Sequence, residues 1–298
     1  MGKFSTKRIA VTGASGLIGS ALVGHLKSQG HSVQRLVRRS PISSDEVQWD
    51  PQTGFVNLEP LNGVDAVIHL AGAGVGDKRW NKKYKAEILN SRLLGTTAIA
   101  AAVAELKPQV FISASAIGWY GESGNRAVVE SDRYGDDFLA AVCREWEAAA
   151  DLSAGVRTVK LRTGLVLDPT GGALGKMLPL FRFGLGGKLG SGKQWWSWIT
   201  LHDHIRAVVF ALENPISGPI NLTTPNPVTN QEFTSALARA MHRPALFPAP
   251  AFALKIALGG FSSEILGSKR VIPQALQEAG FVWDYPHISE ALTELVKD

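Results

Sequence analysis

Short apolar runs alternate with stretches of helical period along the first part of this chain, and that alternation sets the expected fold class. Ile9, Ala10, Val11 and Thr12 form a run with no charge in it, which predicts a buried strand. Leu17, Ile18, Ala21, Leu22 and Leu26 then recur at helical spacing. The same pair of signals repeats. Further strands are predicted over residues 31–37, 47–50, 65–70, 109–114 and 157–167, the last with its downstream turn. The longer helices between them are a stretch entered through residues 77–81 that reaches Ala104, and another over residues 137–152. Strand and helix alternating through six units predict an α/β, Rossmann-type, doubly wound parallel sheet with its ligand at the strand C-terminal ends.

After Asp168 the pattern changes. Residues 169–192 are rich in glycine and lead into Lys193, Gln194, Trp195, Trp196, Ser197 and Trp198. A smaller substrate lobe is expected to start there. Residues 200–214 read as a helix returning to the main sheet and 219–222 as another strand, while proline-punctuated helices over 231–241, 252–258, 273–279 and 288–296 complete the small lobe. The expected domains are therefore 1–168 with about 200–224 for the nucleotide, and 169–199 with 225–298 for the substrate.

Composition narrows the class. Of 298 residues, 45% are apolar and 19% charged, as in a folded globular protein. The formal charge of +5 comes from scattered Lys and Arg, which suits small anionic ligands and predicts no nucleic-acid partner. The single cysteine, Cys143, excludes an internal disulfide framework and a multi-cysteine metal site. With no apolar leader and no run of transmembrane length, the expectation is a cytoplasmic protein with no membrane partner.

The chemistry starts at Gly13, Gly16 and Gly19, placed between a strand and a helix. Gly13 allows the tight turn, Gly16 (beside Ser15) lets backbone N–H groups approach a pyrophosphate, and Gly19 lets the helix pack against the sheet. The helix N-terminus after them, from Leu17 and Ile18, favours a diphosphate. At the end of the second strand, where an acidic residue would hold a ribose 2′-OH, stand Arg38 and Arg39 after Val37. Guanidinium there suits a 2′-phosphate, so NADP(H) is expected over NAD(H). Small residues after the fourth strand, Ala71 and Gly72 following Leu70, let backbone approach the nucleotide. Glu87 and Arg92 read by spacing alone as a solvated helix surface.

These motifs resemble a known group. TGASGLIG, HLAG after the fourth strand, the serines after the fifth and ITLHDHI resemble the extended short-chain dehydrogenase/reductase superfamily of epimerases and dehydratases. More narrowly, DKRWN, Ser91-Arg92, SASAIGWYG, LRTGLVL and VIPQALQEAGF look like its atypical "epimerase family" branch, sometimes labelled cell-division-inhibitor-like, whose substrate is generally unassigned. The resemblance covers nearly the whole chain. It implies nucleotide contacts from the glycine loop, Val37, Arg38, Leu70 and Ala71, and lifts Glu87 and Arg92 to cofactor positions.

Ordinary members of the superfamily carry a Tyr-x-x-x-Lys on the helix after the fifth strand, where the phenol moves the substrate's proton and the lysine lowers its pKa. Here the register puts Leu139 and Cys143 at those positions. Ser113 and Ser115 remain at the strand end with Tyr120 beyond. Ser115 either polarises a carbonyl or satisfies backbone, and Tyr120 either replaces the lost acid or packs. Cys143 reads as core more than as nucleophile. Trp195, Trp196 and Trp198 line the cleft or fill the small lobe's core. His202, Asp203 and His204 read as a turn before a helix, and no metal is expected. Two functions follow: an NADP(H)-dependent oxidoreductase or epimerase-like enzyme acting by hydride transfer on a small carbonyl or sugar-nucleotide-like substrate, or a non-catalytic NADP(H)-binding redox sensor or partner-binding protein.

Overall fold

A computed structural model describes residues 6–297. The chain starts with β1 (Arg8–Thr12), α1 (Leu17–Ser28), β2 (Ser32–Val37), β3 (Glu46–Asp50), β4 (Phe55–Val56) and β5 (Ala66–His69). It continues through α2 (Lys82–Leu106), β6 (Val110–Ala116), β7 (Ala127–Val128), α3 (Phe138–Ala150) and β8 (Arg157–Thr163). Next come β9 (Leu165–Asp168), α4 (Gly172–Arg182), β10 (Trp195–Trp196), β11 (Trp198–Thr200), α5 (Leu201–Glu213) and β12 (Gly218–Leu222). The rest comprises β13 (Val228–Thr229), α6 (Asn230–Ala240), α7 (Ala251–Leu258), α8 (Ser262–Leu266), β14 (Arg270–Val271), α9 (Gln274–Glu278) and α10 (Ile288–Leu295).

Eight strands form one sheet in the order β12-β8-β6-β5-β1-β2-β3-β4, parallel except for the β3–β4 pair. Alternate side chains of each central strand enter opposite layers, as the period of two requires. Ile9, Val11, Ala66, Ile68, Val110, Ile112, Val159 and Leu161 pack with α1 and α5 in one layer, while Ala10, Val67 and Phe111 meet Ile99, Ala100 and Val103 of α2 in the other. Both faces are therefore dry along β1, β5 and β6, which is why those strands read as apolar runs.

The predicted sixth strand divides. A Cβ on Gly164 would come within 2.7 Å of the Ser197 carbonyl oxygen and the Thr223 methyl, so the chain can bend there only because the residue is glycine. Beyond it β9 leaves the sheet to pair with β11. A third core follows, in which Leu174, Leu178, Phe181, Trp198, Phe233, Leu237 and Leu292 join α4, α6 and α10. In the C-terminal region Leu276 and Phe281 pack in the large core beside β12, and β14 pairs with β7. No helix among the described residues is long and apolar enough to cross a membrane.

Candidate functional site

The order of strand addition reverses between β1 and β5, since β1 leads to β2 on one side while β5 and β6 extend the other. In such sheets the crevice at that reversal takes the ligand. Here it is built by the two strand exits. The Thr12 hydroxyl accepts from the Leu70 and Ala71 N–H groups at 3.1 and 3.2 Å, which leaves its own proton for His69 Nδ1 at 2.7 Å. Gly13 has φ +69°, and a Cβ on it would lie 2.8–2.9 Å from the Leu70 carbonyl carbon and the Ala71 nitrogen. One threonine and one glycine thus set how closely the two loops approach.

The glycine loop separates structural from ligand-facing positions. A Cβ on Gly19 would collide with the Gly13 carbonyl oxygen, so that glycine is required for α1 to start where it does. Gly16 has no such requirement: its φ is −76°, and the nearest atom to an added Cβ would be 3.5 Å away. Ser15 and Gly16 are exposed, and Leu17 and Ile18 half-buried. No side chain caps α1, whereas Asn81, Asp137, Thr200 and Thr229 cap α2, α3, α5 and α6. The open N–H groups and the dipole of α1 fit a diphosphate.

At the end of β2 the two arginines part company. Arg39 closes a bidentate pair on Glu46, with both bonds 2.7 Å, and holds that carboxyl down at about 2. Arg38 is exposed beside half-buried Val37 and has no hydrogen-bond or ion-pair partner among the described residues. On the far wall, Leu70 and Ala71 are half-buried and Gly72 is exposed. α2 holds this loop: Ser91 Oγ accepts from Ala73 N–H at 3.0 Å, and Arg92 donates to the Ala73 carbonyl at 2.9 Å while its guanidinium lies over Trp146. Glu87 points elsewhere, exposed and 3.4 Å from Lys78. The two α2 residues therefore stand on different faces, with Arg92 behind the nucleotide loop and Glu87 at its rim.

The positions that would carry proton transfer are occupied otherwise. Leu139 packs with Tyr84, Ile88 and Val142. Cys143 is buried 3.6 Å from the Ala116 carbonyl, and burial pushes its thiol up to about 12. Ser113 is fully buried. The Ser115 hydroxyl donates to Glu147 at 2.7 Å, and Glu147 in turn holds Arg162 through bonds of 2.8 and 3.0 Å. Arg162 donates to the Tyr120 hydroxyl at 3.0 Å, and that hydroxyl donates to Asn221 at 2.7 Å. Tyr120 is 3% exposed, and burial raises its phenol to about 12. The expectation that Ser115 and Tyr120 support a substrate oxygen thus meets two hydroxyls already committed to one buried network. Its members lie as far apart in sequence as Ser115 and Asn221, and no local pattern announces the network. Glu46 was the more legible omission, a carboxylate seven residues after Arg39.

The remaining candidates sort by burial. Trp198 is fully buried in the core formed with α4, α6 and α10, Trp196 packs on Phe233, and Trp195 lies beneath the Arg270 guanidinium. His204 is buried, with its pKa pulled down to about 4 by desolvation. Donor atoms of His202, Asp203 and Asp284 lie within 4.8 Å of one another, but Arg206 already reaches Asp203 at 2.8 Å and Asp284 at 3.3 Å. Asp203 also accepts from the Asp284 and Tyr285 N–H groups, so this cluster fastens α5 to the C-terminal segment.

With that geometry in place, comparison with known proteins decides the family. The family model described as "NAD dependent epimerase/dehydratase family" matches residues 9–223. This chain belongs to that family. A domain of unknown function matches residues 249–295. An epimerase family protein of Mycobacterium leprae is 45% identical over 96% of this chain and 94% of its own length. The chloroplastic epimerase family protein SDR39U1 homolog of Arabidopsis thaliana is 37% identical over 99% of this chain and 88% of its own. Among solved structures, human epimerase family protein SDR39U1 with NADPH superposes with a TM-score of 0.89 at 32% identity, covering 97% of this chain and 98% of that one. The chain is thus an SDR39U1-like member of the extended short-chain family, and its fold is the one expected from the glycine loop.

Proposed function

We propose that this chain is an NADP(H)-binding oxidoreductase or epimerase-like protein of the extended short-chain type, acting by hydride transfer on a small carbonyl or sugar-nucleotide-like compound. The observation that carries the cofactor choice is the pairing of Arg39 with Glu46, which leaves Arg38 free at the ribose end of the crevice. NADPH in the similar human structure agrees with this reading. The glycine loop and the first turn of α1 would hold the diphosphate, Val37 and Arg38 the 2′-phosphate side, and Leu70, Ala71 and Gly72 the adenosine half, with Arg92 behind them. Bound there, the cofactor supplies a hydride donor or acceptor. What this chain adds is position and a dry wall. Leu139 and Cys143 move no proton near neutral pH, so the proton at the substrate oxygen comes from water or from the substrate itself.

A second reading, a non-catalytic NADP(H)-binding sensor, is favoured by one observation: Ser115 and Tyr120 both spend their hydroxyl protons inside the protein. One measurement tests the cofactor choice and a second separates the readings. Titration with NADPH and NADH, followed by tryptophan fluorescence, gives tighter NADPH binding under both. Stopped-flow oxidation of bound NADPH against a panel of carbonyl compounds then gives turnover for the enzyme and none for the sensor. Failure to bind either dinucleotide sinks both.

A further inference from the structure

We propose that the small lobe docks on an anionic lipid surface through α7 and the two segments beside it. This departs from the expectation of no membrane partner, and it stands independently of the cofactor reading. α7 is an apolar helix, AFALKIAL, with no buried residue. Its Phe252 and Ile256 are each 68% exposed. The neighbouring segments add Phe183 at 81%, Leu246 at 74%, Leu185 and Phe247. These segments are tied together by backbone: Phe247 N–H donates to the Gly186 carbonyl, Ala249 N–H to that of Lys188, and Gly190 N–H to that of Ala249. Ala251, Ala253, Leu254 and Leu258 are half-buried, but Phe252 and Ile256 gain nothing from the core, so that exposed apolar face needs another partner.

Charge identifies that partner. Residues 169–202 and 233–263 contain seven Lys and Arg and no Asp or Glu. Seven exceeds the whole chain's formal charge of +5, so the rest of the molecule is net negative and the positive excess is concentrated in these two segments. Arg182, Arg239, Arg243 and Lys255 are exposed among the apolar side chains, and Arg243 Nε donates to the Arg182 carbonyl, joining α4 to the turn after α6. Basic side chains around exposed Phe, Leu and Ile are the arrangement that seats in a headgroup layer bearing negative lipids. A second copy fits poorly, because a two-fold contact through this face would set like charges against each other. Nucleic acid would leave the aliphatic groups unmatched.

The test is co-sedimentation of the full chain with vesicles of phosphatidylcholine alone and with about 30 mol% phosphatidylglycerol. The expected result is pelleting with the anionic vesicles only, weakened when salt rises from about 50 to about 500 mM. Phe252→Glu with Ile256→Glu, and separately Arg239→Glu with Lys255→Glu, should each lower the bound fraction roughly tenfold. Because the four substituted side chains are exposed, melting temperature should hold in these variants. No pelleting with anionic vesicles, equal pelleting with neutral ones, or binding retained in both variants overturns the proposal. So does light scattering that finds a dimer which the Phe252→Glu, Ile256→Glu variant converts to monomer, since a second copy would then cover the face.

Discussion

Arg39 grips Glu46 through two parallel bonds of 2.7 Å, and this leaves Arg38, one residue earlier, as the unengaged guanidinium at the end of β2. Adjacent arginines that look equivalent in sequence therefore have different work. Arg38→Ala should weaken NADPH binding roughly ten- to hundredfold, the loss of a charge-assisted bond, and leave NADH binding unchanged. Arg39→Ala should cost NADPH binding less, because its guanidinium is already spent on Glu46. Isothermal titration of both variants with both dinucleotides checks the order; equal losses would mean that the two arginines share the phosphate.

The glycine loop allows a cleaner separation of fold from ligand. Gly16→Ala adds a methyl group with nothing closer than 3.5 Å and no backbone strain, so its melting temperature should stay within a few degrees of the parent. NADPH affinity should nevertheless fall by at least about tenfold, because that methyl fills the space for the diphosphate. Gly19→Ala should do the reverse first, since its methyl meets the Gly13 carbonyl and the loop or α1 must shift, costing about 1–3 kcal/mol of stability. Thermal melts and titrations on the two variants give opposite rankings if this division is right.

Sequence pattern carried the central sheet because both of its faces are dry, and an unbroken apolar run then reports a strand directly. β1, β2, β3, β5 and β6 fall within a residue or two of where the runs place them, whereas β8 starts at the expected Arg157 but ends at Thr163, where the chain leaves the sheet as β9. The glycine loop was legible for the same reason: its requirements are local. The uses of Arg38, Ser115 and Tyr120 were not. They depend on tertiary packing, which gives Glu147 to Ser115, Arg162 and Asn221 to Tyr120, and no partner among the described residues to Arg38. The three tryptophans illustrate the same limit, with Trp198 fully buried and Trp195 stacked beneath Arg270 only three positions away.

Ser115 and Tyr120 are therefore expected to matter for stability more than for binding. Tyr120→Phe removes the donor to Asn221 and an acceptor of Arg162, and should cost about 1–3 kcal/mol. Ser115→Ala should cost about 1 kcal/mol, because Glu147 keeps both bonds to Arg162. Glu147→Ala should cost about 3–5 kcal/mol, since it strands Arg162 inside the protein. Urea denaturation measures all three. NADPH affinity should be unaltered in Tyr120→Phe and Ser115→Ala, and a large loss of affinity without a loss of stability would return these hydroxyls to the ligand site.

The last prediction concerns pH. His69 and His204 are buried and neutral, held down at about 3 and about 4 by desolvation. His69 Nε2 and His204 Nδ1 have no hydrogen-bond partner among the described residues, so the doubly protonated form of either ring would bury an N–H without an acceptor. In the unfolded chain both rings take up a proton near the ordinary value of 6.5. The folded state refuses it, so stability present above that value is lost as pH falls towards the folded pKa values. Each ring should contribute about 2 kcal/mol to the loss between about pH 7 and pH 5. The Glu46 carboxyl, held at about 2, loses its share as pH falls from its ordinary value of 4.5 towards the folded one, mostly below this window. Glu130, raised by burial, opposes the trend, and His25, lowered by burial, adds to it, so variants must carry the test. His69→Gln and His204→Gln should each flatten the dependence of unfolding free energy on pH over this window, and the double variant should flatten it about twice as much. Parallel curves for parent and double variant would mean that the two rings are protonated in the folded protein.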